Sequence, residues 1–264
     1  MSRFYAELSL RDQVALVTGA SGGIGEAIAW RLAEAGCKLI LVARRQEKLD
    51  ALREDIQKTF SQVVVHTVAL DVQDSSALDR LQAELPAELQ AVDILVNNAG
   101  LALGTFPVQD NDLADVQTMI STNCAAVVHL TKLFSKGMID RNRGHIVNLS
   151  SVAAHTHYGG GSIYCATKAF LDAFTTAARH DLVATDVRVT AISPGAVKTD
   201  FSNVRFKGDS QKADAVYQGM TPLLAADVAD NVLYALTRPA HVQIAEIITY
   251  ATAQSGAQNI ARKQ

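Results

Sequence analysis

The sequence predicts a doubly wound α/β unit: a mostly parallel sheet with helices on both faces. Three observations predict it. Short β-branched, apolar runs alternate with amphipathic helical patterns along the chain. That alternation requires long crossover connections, which join parallel strands. No internal repeat, low-complexity tract or Pro/Ser-rich linker divides the 264 residues, so a single domain over 1–264 is the economical reading.

The elements justify themselves in order. "QVALVTG" (13–19) is a buried strand ending in glycine. "GIGEAIAWRLAEAG" (23–36) puts Ile24, Ile28 and Leu32 on one helical face and stops at Gly36. "KLILVA" (38–43) is the second strand, and "EKLDALREDIQKTF" (47–60) an amphipathic helix with Leu49, Leu52 and Ile56 on one side. "QVVVHTVAL" (62–70), "VDILVN" (92–97), "GHIVNLS" (144–150) and "DVRVTAIS" (186–193) are further strands separated by helical patterns, with long helices over 111–136 and 161–184.

Composition narrows the function classes. Hydrophobic residues make up 48% and charged residues 19%, enough for a sizeable core and against extensive disorder. The formal net charge of -3 gives no overall pull towards nucleic acid or an anionic membrane. No apolar run approaches the roughly 18–20 residues of a membrane span, and "MSRFYAELSLRDQ" lacks the apolar centre of a secretory signal. Cys37, Cys124 and Cys165 form no CxxC pair and read as reduced packing residues in a cytoplasmic setting.

In such sheets ligands bind beyond the carboxyl ends of the strands. "TGASGGIG" (18–25) follows the first strand and opens the first helix. Gly19, Gly23 and Gly25 fit G-x-x-x-G-x-G, and Ser21, Gly22 and Ile24 complete a cradle whose backbone can approach a pyrophosphate at a helix N-terminus. This makes the sheet Rossmann-type and the ligand a dinucleotide. The second strand ends "LVARRQ", where an NAD site carries an acid for the ribose 2′-hydroxyl. With Ala43 there and Arg44 and Arg45 after it, a 2′-phosphate would be held instead, so NADP is expected. "LDVQD" places Asp71 and Val72 near the expected adenine, although Asp71 also suits a cap or turn. "VNNAG" (96–100) ends the fourth strand; its asparagines can satisfy neighbouring strand ends, and Asn98 can also touch the cofactor.

"GGGSIYCATKAF" (159–170) sets Tyr164 and Lys168 one helical turn apart on one face. A phenol has an ordinary pKa of about 10. A nearby ammonium is expected to lower it, so that the phenol can exchange a proton with a carbonyl or alcohol oxygen while a nicotinamide exchanges hydride. Ser151, ending the fifth strand, could hydrogen-bond the reacting oxygen; Ser150 is the adjacent alternative. Asn123 amid "STNCAAVV" reads on its own as structural.

With these pieces in view the chain resembles the short-chain dehydrogenase/reductase family over nearly its full length, through "TGASGGIG", "NNAG", Asn123, Ser151, "YCATK" and "PGAVKTD". The resemblance implies Tyr164 as acid/base, Ser151 as substrate stabiliser, Lys168 as pKa modulator and nicotinamide-ribose ligand, and Asn123 as part of a proton relay. It further implies that "PGAVKTD" (194–200) wraps the nicotinamide carboxamide, with Pro194, Gly195, Val197 and Thr199 as contacts, and that the enzyme is a homotetramer. "NNAGLALG" (97–104), "FSNVRFKGD" (201–209) and "RPAHVQI" (238–244) are similar, within the family, to NADP-dependent 3-hydroxy acid dehydrogenases acting on serine, L-allo-threonine and 3-hydroxypropionate or 3-hydroxyisobutyrate.

Two other readings stand beside this one: a broad carbonyl reductase or 3-oxoacyl-thioester reductase, and a non-catalytic NADP-binding protein. The tail lacks the "DGG"-like ending of the thioester reductases, and the presence of both Tyr164 and Lys168 disfavours a non-catalytic role. Residues 201–220 are expected to form a substrate lid. Arg205 is the first choice of cation for a substrate carboxylate, ahead of Lys207, with an exposed basic loop as the alternative. His155 and His157 form an H-x-H pair with no evident carboxylate partner, so no metal is expected.

Overall fold

The computed structural model describes residues 7–262. Residues 1–6, part of the stretch read for a secretory signal, and 263–264 lie outside the described residues. Seven parallel strands form one sheet in the order β3-β2-β1-β4-β5-β6-β7. The strands are β1 (Val14–Thr18), β2 (Lys38–Ala43), β3 (Val65–Ala69), β4 (Ile94–Asn97), β5 (Gly144–Leu149), β6 (Val187–Pro194) and β7 (Glu246–Thr249). The order runs outward in both directions from β1 and β4. Their shared edge is the switch point where the connecting chains diverge and leave a crevice.

The period-two alternation of β1 divides the core. Ala15 and Val17 face α1 (Gly23–Glu34), α2 (Gln46–Thr59) and α9 (Ala225–Thr237). Val14 and Leu16 face α3 (Ser75–Glu84), α5 (Ala126–Asp140) and α6 (Ser162–Asp181). The expected helix over 111–136 is α4 (Leu113–Ile120) running into α5 through a π-helical turn, Ser121–Ala125. The expected helix over 161–184 is α6, which ends at Asp181. The anticipated strand 62–70 is shorter, because Val63 N–H turns back to Phe60 O before pairing begins at Val65. Strand β7 escaped the reading; it is only four residues long, and none of them is fully buried. Residues 201–220 hold two short helices, α7 (Phe201–Arg205) and α8 (Ser210–Ala215). Among the described residues no helix is long and apolar enough to cross a membrane.

Candidate active site

A cleft of about 770 Å³ follows the carboxyl ends of the strands. That is the size range of small-molecule and cofactor pockets, roughly 300–1,000 Å³. At its floor lies the glycine cradle. Gly19 turns at φ 66, and a Cβ on Gly25 would sit 2.4 Å from Gly19 O, so the turn closes only with glycine there. Gly22 caps α1 without a side-chain bond, which leaves first-turn N–H groups open to an anion. Ser21, Gly23 and Ile24 line the cleft beside it. Thr199 approaches from the other side, its Cβ 3.4 Å from where a Cβ on Gly23 would stand. Pro194, Gly195 and Val197 lead up to it along the same wall, and the backbone of Ala196 is held by Gln254 Oε1 at 2.9 Å.

At the far end Arg44, Arg45 and Lys48 converge on the cleft. Arg45 Nη2 donates to Ser21 Oγ (3.0 Å) and Ser21 O (3.2 Å), which ties the second strand's end to the cradle. Lys48, three residues into α2, was missed by sequence reasoning; its place one turn after "RR" was the available signal. Asp71 accepts from Gln73 N–H (3.0 Å), so it serves as a turn residue, and Asp74 is the cap of α3. Asp71 and Val72 both line the cleft. Asn98 Nδ2 donates to Thr18 O (2.8 Å) and Asn97 Nδ2 to Asn148 Oδ1 (2.9 Å), so the paired asparagines do join strand ends. Asn98 faces the cleft as well.

Ser151, Tyr164 and Lys168 meet at the other end of the same cleft. Ser151 Oγ accepts from Ala153 N–H (3.1 Å), and its side chain favours the ionised Tyr164 phenol. Ser150 instead donates to Lys168 O (3.3 Å) on α6, which separates the two neighbours. Lys168 is buried, and its Nζ donates to Leu149 O at 2.7 Å. Asn123 sits in the π turn, fully buried. It accepts from Leu101 N–H (2.9 Å) and donates to Leu101 O (2.8 Å) and Thr167 Oγ1 (3.0 Å), fastening the β4 loop to α6. Its Oδ1 and Lys168 Nζ lie 3.3 and 3.5 Å from a Cβ placed on Gly100, so they flank the same backbone point.

The net shift of the Tyr164 phenol is upward, against the expected lowering. Lys168 Nζ is 5.9 Å from the Tyr164 ring centroid, and burial pushes the Tyr164 pKa up to about 12. The effects that oppose burial come from the Arg205 charge and the Ser151 side chain. Burial also brings the Lys168 ammonium down to about 8, against the pull of Cys124. Arg205 stacks 4.8 Å above the Tyr164 ring and 5.3 Å from the Phe201 ring, and its Nη2 donates to Tyr158 Oη at 2.8 Å. Its Nε is buried without a hydrogen-bond partner among the described residues. Lys207 pairs with Asp115 at 2.6 Å, which ties the segment after α7 to α4. Tyr158 was not anticipated as a partner, because nothing in the sequence links position 158 to 205. A second correction concerns His155. It does have carboxylate neighbours, Glu246 at 2.6 Å and Asp172, whereas His157 joins no such cluster among the described residues.

A phosphate cradle and a basic rim at one end of a cleft, with a phenol, a hydroxyl and an ammonium at the other, define a dinucleotide-dependent oxidoreductase site. The chain belongs to the short-chain dehydrogenase family, whose sequence profile matches residues 13–210. It is 45% identical over 232 residues to an NADP-dependent 3-hydroxy acid dehydrogenase of Salmonella typhi, covering 88% of this chain and 92% of that one. It is also 45% identical over 245 residues to sulfoacetaldehyde reductase 2 of Chromohalobacter salexigens, covering 92% and 96%. The closed form of a serine dehydrogenase complexed with NADP+ superposes with a TM-score of 0.88 at 43% identity, over 96% of this chain and all of that one.

Proposed function

We propose that the protein is an NADP-dependent oxidoreductase that interconverts an alcohol and a carbonyl on small 3-hydroxy acids, with a ketone formed from L-allo-threonine and an aldehyde from serine or 3-hydroxypropionate. The observation that carries the substrate class is Arg205: a cation stacked on the acid/base phenol, with one buried N–H that has no acceptor among the described residues. A buried donor left unpaired costs about 1–3 kcal/mol; Arg205 does not line the cleft and its Nε is closed to solvent, so a substrate carboxylate would satisfy it with a charge-assisted bond once the segment 201–205 shifts. The name of the Salmonella relative supports the same class. A sulfonate is the second reading, favoured by the name of the Chromohalobacter relative. Initial rates with NADP+ on 3-hydroxypropionate, L-serine, 2-hydroxyethylsulfonate and an uncharged alcohol of equal length test both. Preference for the uncharged alcohol would refute the anionic substrate altogether.

The nicotinamide, when bound, supplies or accepts hydride. Tyr164 Oη passes the proton to or from the substrate oxygen, and Ser151 Oγ orients that oxygen beside it. Lys168 holds the ribose, and Asn123 is part of the proton relay that connects Lys168 to solvent. Gly19, Ser21, Gly22, Gly23, Ile24 and Gly25 hold the pyrophosphate, Asp71, Val72 and Asn98 the adenosine half, and Pro194, Gly195, Val197 and Thr199 the carboxamide. Residues 201–220 close over the substrate as a lid and exclude water. We place the protein in the cytoplasm as a homotetramer; three buried, unpaired cysteines support a reducing compartment. Exposed Ile120, Val128 and Phe170 on the long helices support subunit packing. Light scattering at four chain masses is the expected result.

The 2′-phosphate reading has a clean variant. Arg44→Ala should raise KM for NADPH by about 10-fold or more and leave NADH little changed, since each charge-assisted bond is worth about 1.5–3 kcal/mol. Arg45→Ala is the less selective variant, because losing its bonds to Ser21 also loosens the cradle shared by both cofactors. A wild type that prefers NADH would contradict the reading.

The pH dependence follows from the phenol. Alcohol oxidation needs its base form. With the pKa raised to about 12, that form is scarce and grows tenfold per pH unit throughout the neutral range. Oxidation kcat/KM should therefore rise with a slope near one from about pH 6 to about pH 8. Carbonyl reduction needs the acid form, which is fully present over the same window, and should stay level. A level oxidation profile would remove Tyr164 as the base.

A further inference from the structure

Away from the cofactor cleft, the loop that follows Ser151 carries a second convergence of donor side chains. His155 ends the short 3₁₀ turn Val152–Ala154, Asp172 lies on α6, and Glu246 opens β7. One ring nitrogen and one oxygen from each carboxylate all lie within 4.8 Å of one another. His155 Nε2 is 2.6 Å from Glu246 Oε1, which also accepts from Ser193 Oγ at 2.7 Å. The Asp172 carboxylate makes no hydrogen bond or ion pair among the described residues. Two carboxylates therefore face one imidazole, an excess of negative charge in a spot where the side chains of His155 and Glu246 are only 27% and 25% exposed. Partial burial weakens solvent screening and raises the value of a compensating cation.

We propose that His155, Asp172 and Glu246 form a binding site for one divalent transition-metal ion, with Zn²⁺ as the matching class. An imidazole nitrogen beside two carboxylate oxygens suits Zn²⁺, whereas Mg²⁺ and Ca²⁺ take oxygen ligands. Ligands about 2.1 Å from such an ion stand about 3–4 Å from each other. The His155–Glu246 spacing of 2.6 Å would widen slightly to reach that range, and the 4.8 Å limit on the set leaves Asp172 within reach of it. Solvent completes the coordination. The ion has no part in hydride or proton transfer. It staples the loop carrying Ser151 to α6 and to β7. This inference does not depend on the identity of the substrate.

The test is calorimetric titration of the metal-stripped, NADP+-loaded protein with Zn²⁺, repeated with Co²⁺ to read its visible absorption band. One site per chain is expected, with no displacement by excess Mg²⁺. Asp172→Asn should weaken Zn²⁺ at least tenfold, because it removes a charged ligand from a three-ligand set. His157→Ala should leave the affinity unchanged, since His157 is outside the cluster. Zn²⁺ should raise the Tm of the wild type and not of Asp172→Asn. Should Asp172→Asn prove misfolded by circular dichroism, Glu246→Gln and His155→Gln carry the same expectation. Equal Zn²⁺ affinity in a folded ligand variant, loss of binding in His157→Ala, or no saturable site in the wild type would each overturn the proposal.

Discussion

Tyr164→Phe should fold, bind NADPH with near wild-type affinity and lose about 10²–10⁴-fold in kcat. The substitution removes one oxygen. The ring keeps its contacts with Phe201, at 5.7 Å between centroids, and with the Arg205 guanidinium. What disappears is the phenol that, among the described residues, lines the cleft beside Ser151. Because no group replaces its proton, both directions should fall, and the pH slope of alcohol oxidation should vanish with them. Fluorescence titration of NADPH separates this from a binding defect. A folded Phe variant with kcat near wild type would dismiss the proton-transfer role, whatever the family resemblance implies.

The cradle and the Tyr164–Lys168 pair were legible because each is local. Glycines at fixed offsets between a strand and a helix, and two residues one turn apart on one helix, carry their geometry in their spacing. Asn98 and Ser151 were legible for a related reason: they end strands, and strand ends in a parallel sheet share one rim. What spacing does not carry is burial and long-range meeting. The direction of the Tyr164 shift was missed because desolvation depends on what folds over the ring, and the segment that brings Arg205 there starts 37 positions further on, at Phe201. The carboxylates beside His155 were missed for the same reason. Glu246 lies 91 residues away and arrives only because β7 is added next to β6. The π turn at Asn123 left no trace in a pattern read at helical period, since one widened turn hardly disturbs the phase.

Arg205→Ala should cost about 10- to 150-fold in kcat/KM for a carboxylate substrate, the equivalent of about 1.5–3 kcal/mol for one charge-assisted contact. An uncharged alcohol of the same length should lose far less, though not nothing. Arg205 also opposes the burial that raises the Tyr164 phenol, so its removal makes the base form scarcer and slows oxidation of every substrate at a given pH. The informative quantity is therefore the ratio of kcat/KM for the charged and uncharged substrates, in which the shared effect on the phenol cancels. Arg205→Lys sharpens the test. An ammonium keeps the charge near the ring but cannot hold Tyr158 Oη and a carboxylate through a planar fork, so it should recover the uncharged substrate and only part of the charged one. Tyr158→Phe frees Nη2 from its 2.8 Å bond without touching the charge and should raise KM for the acid more than it lowers kcat, because the guanidinium is then no longer held in place before the substrate arrives. If Arg205→Ala lowers charged and uncharged substrates by the same factor, Arg205 is a lid residue packed on Tyr164 and the carboxylate must find its cation elsewhere.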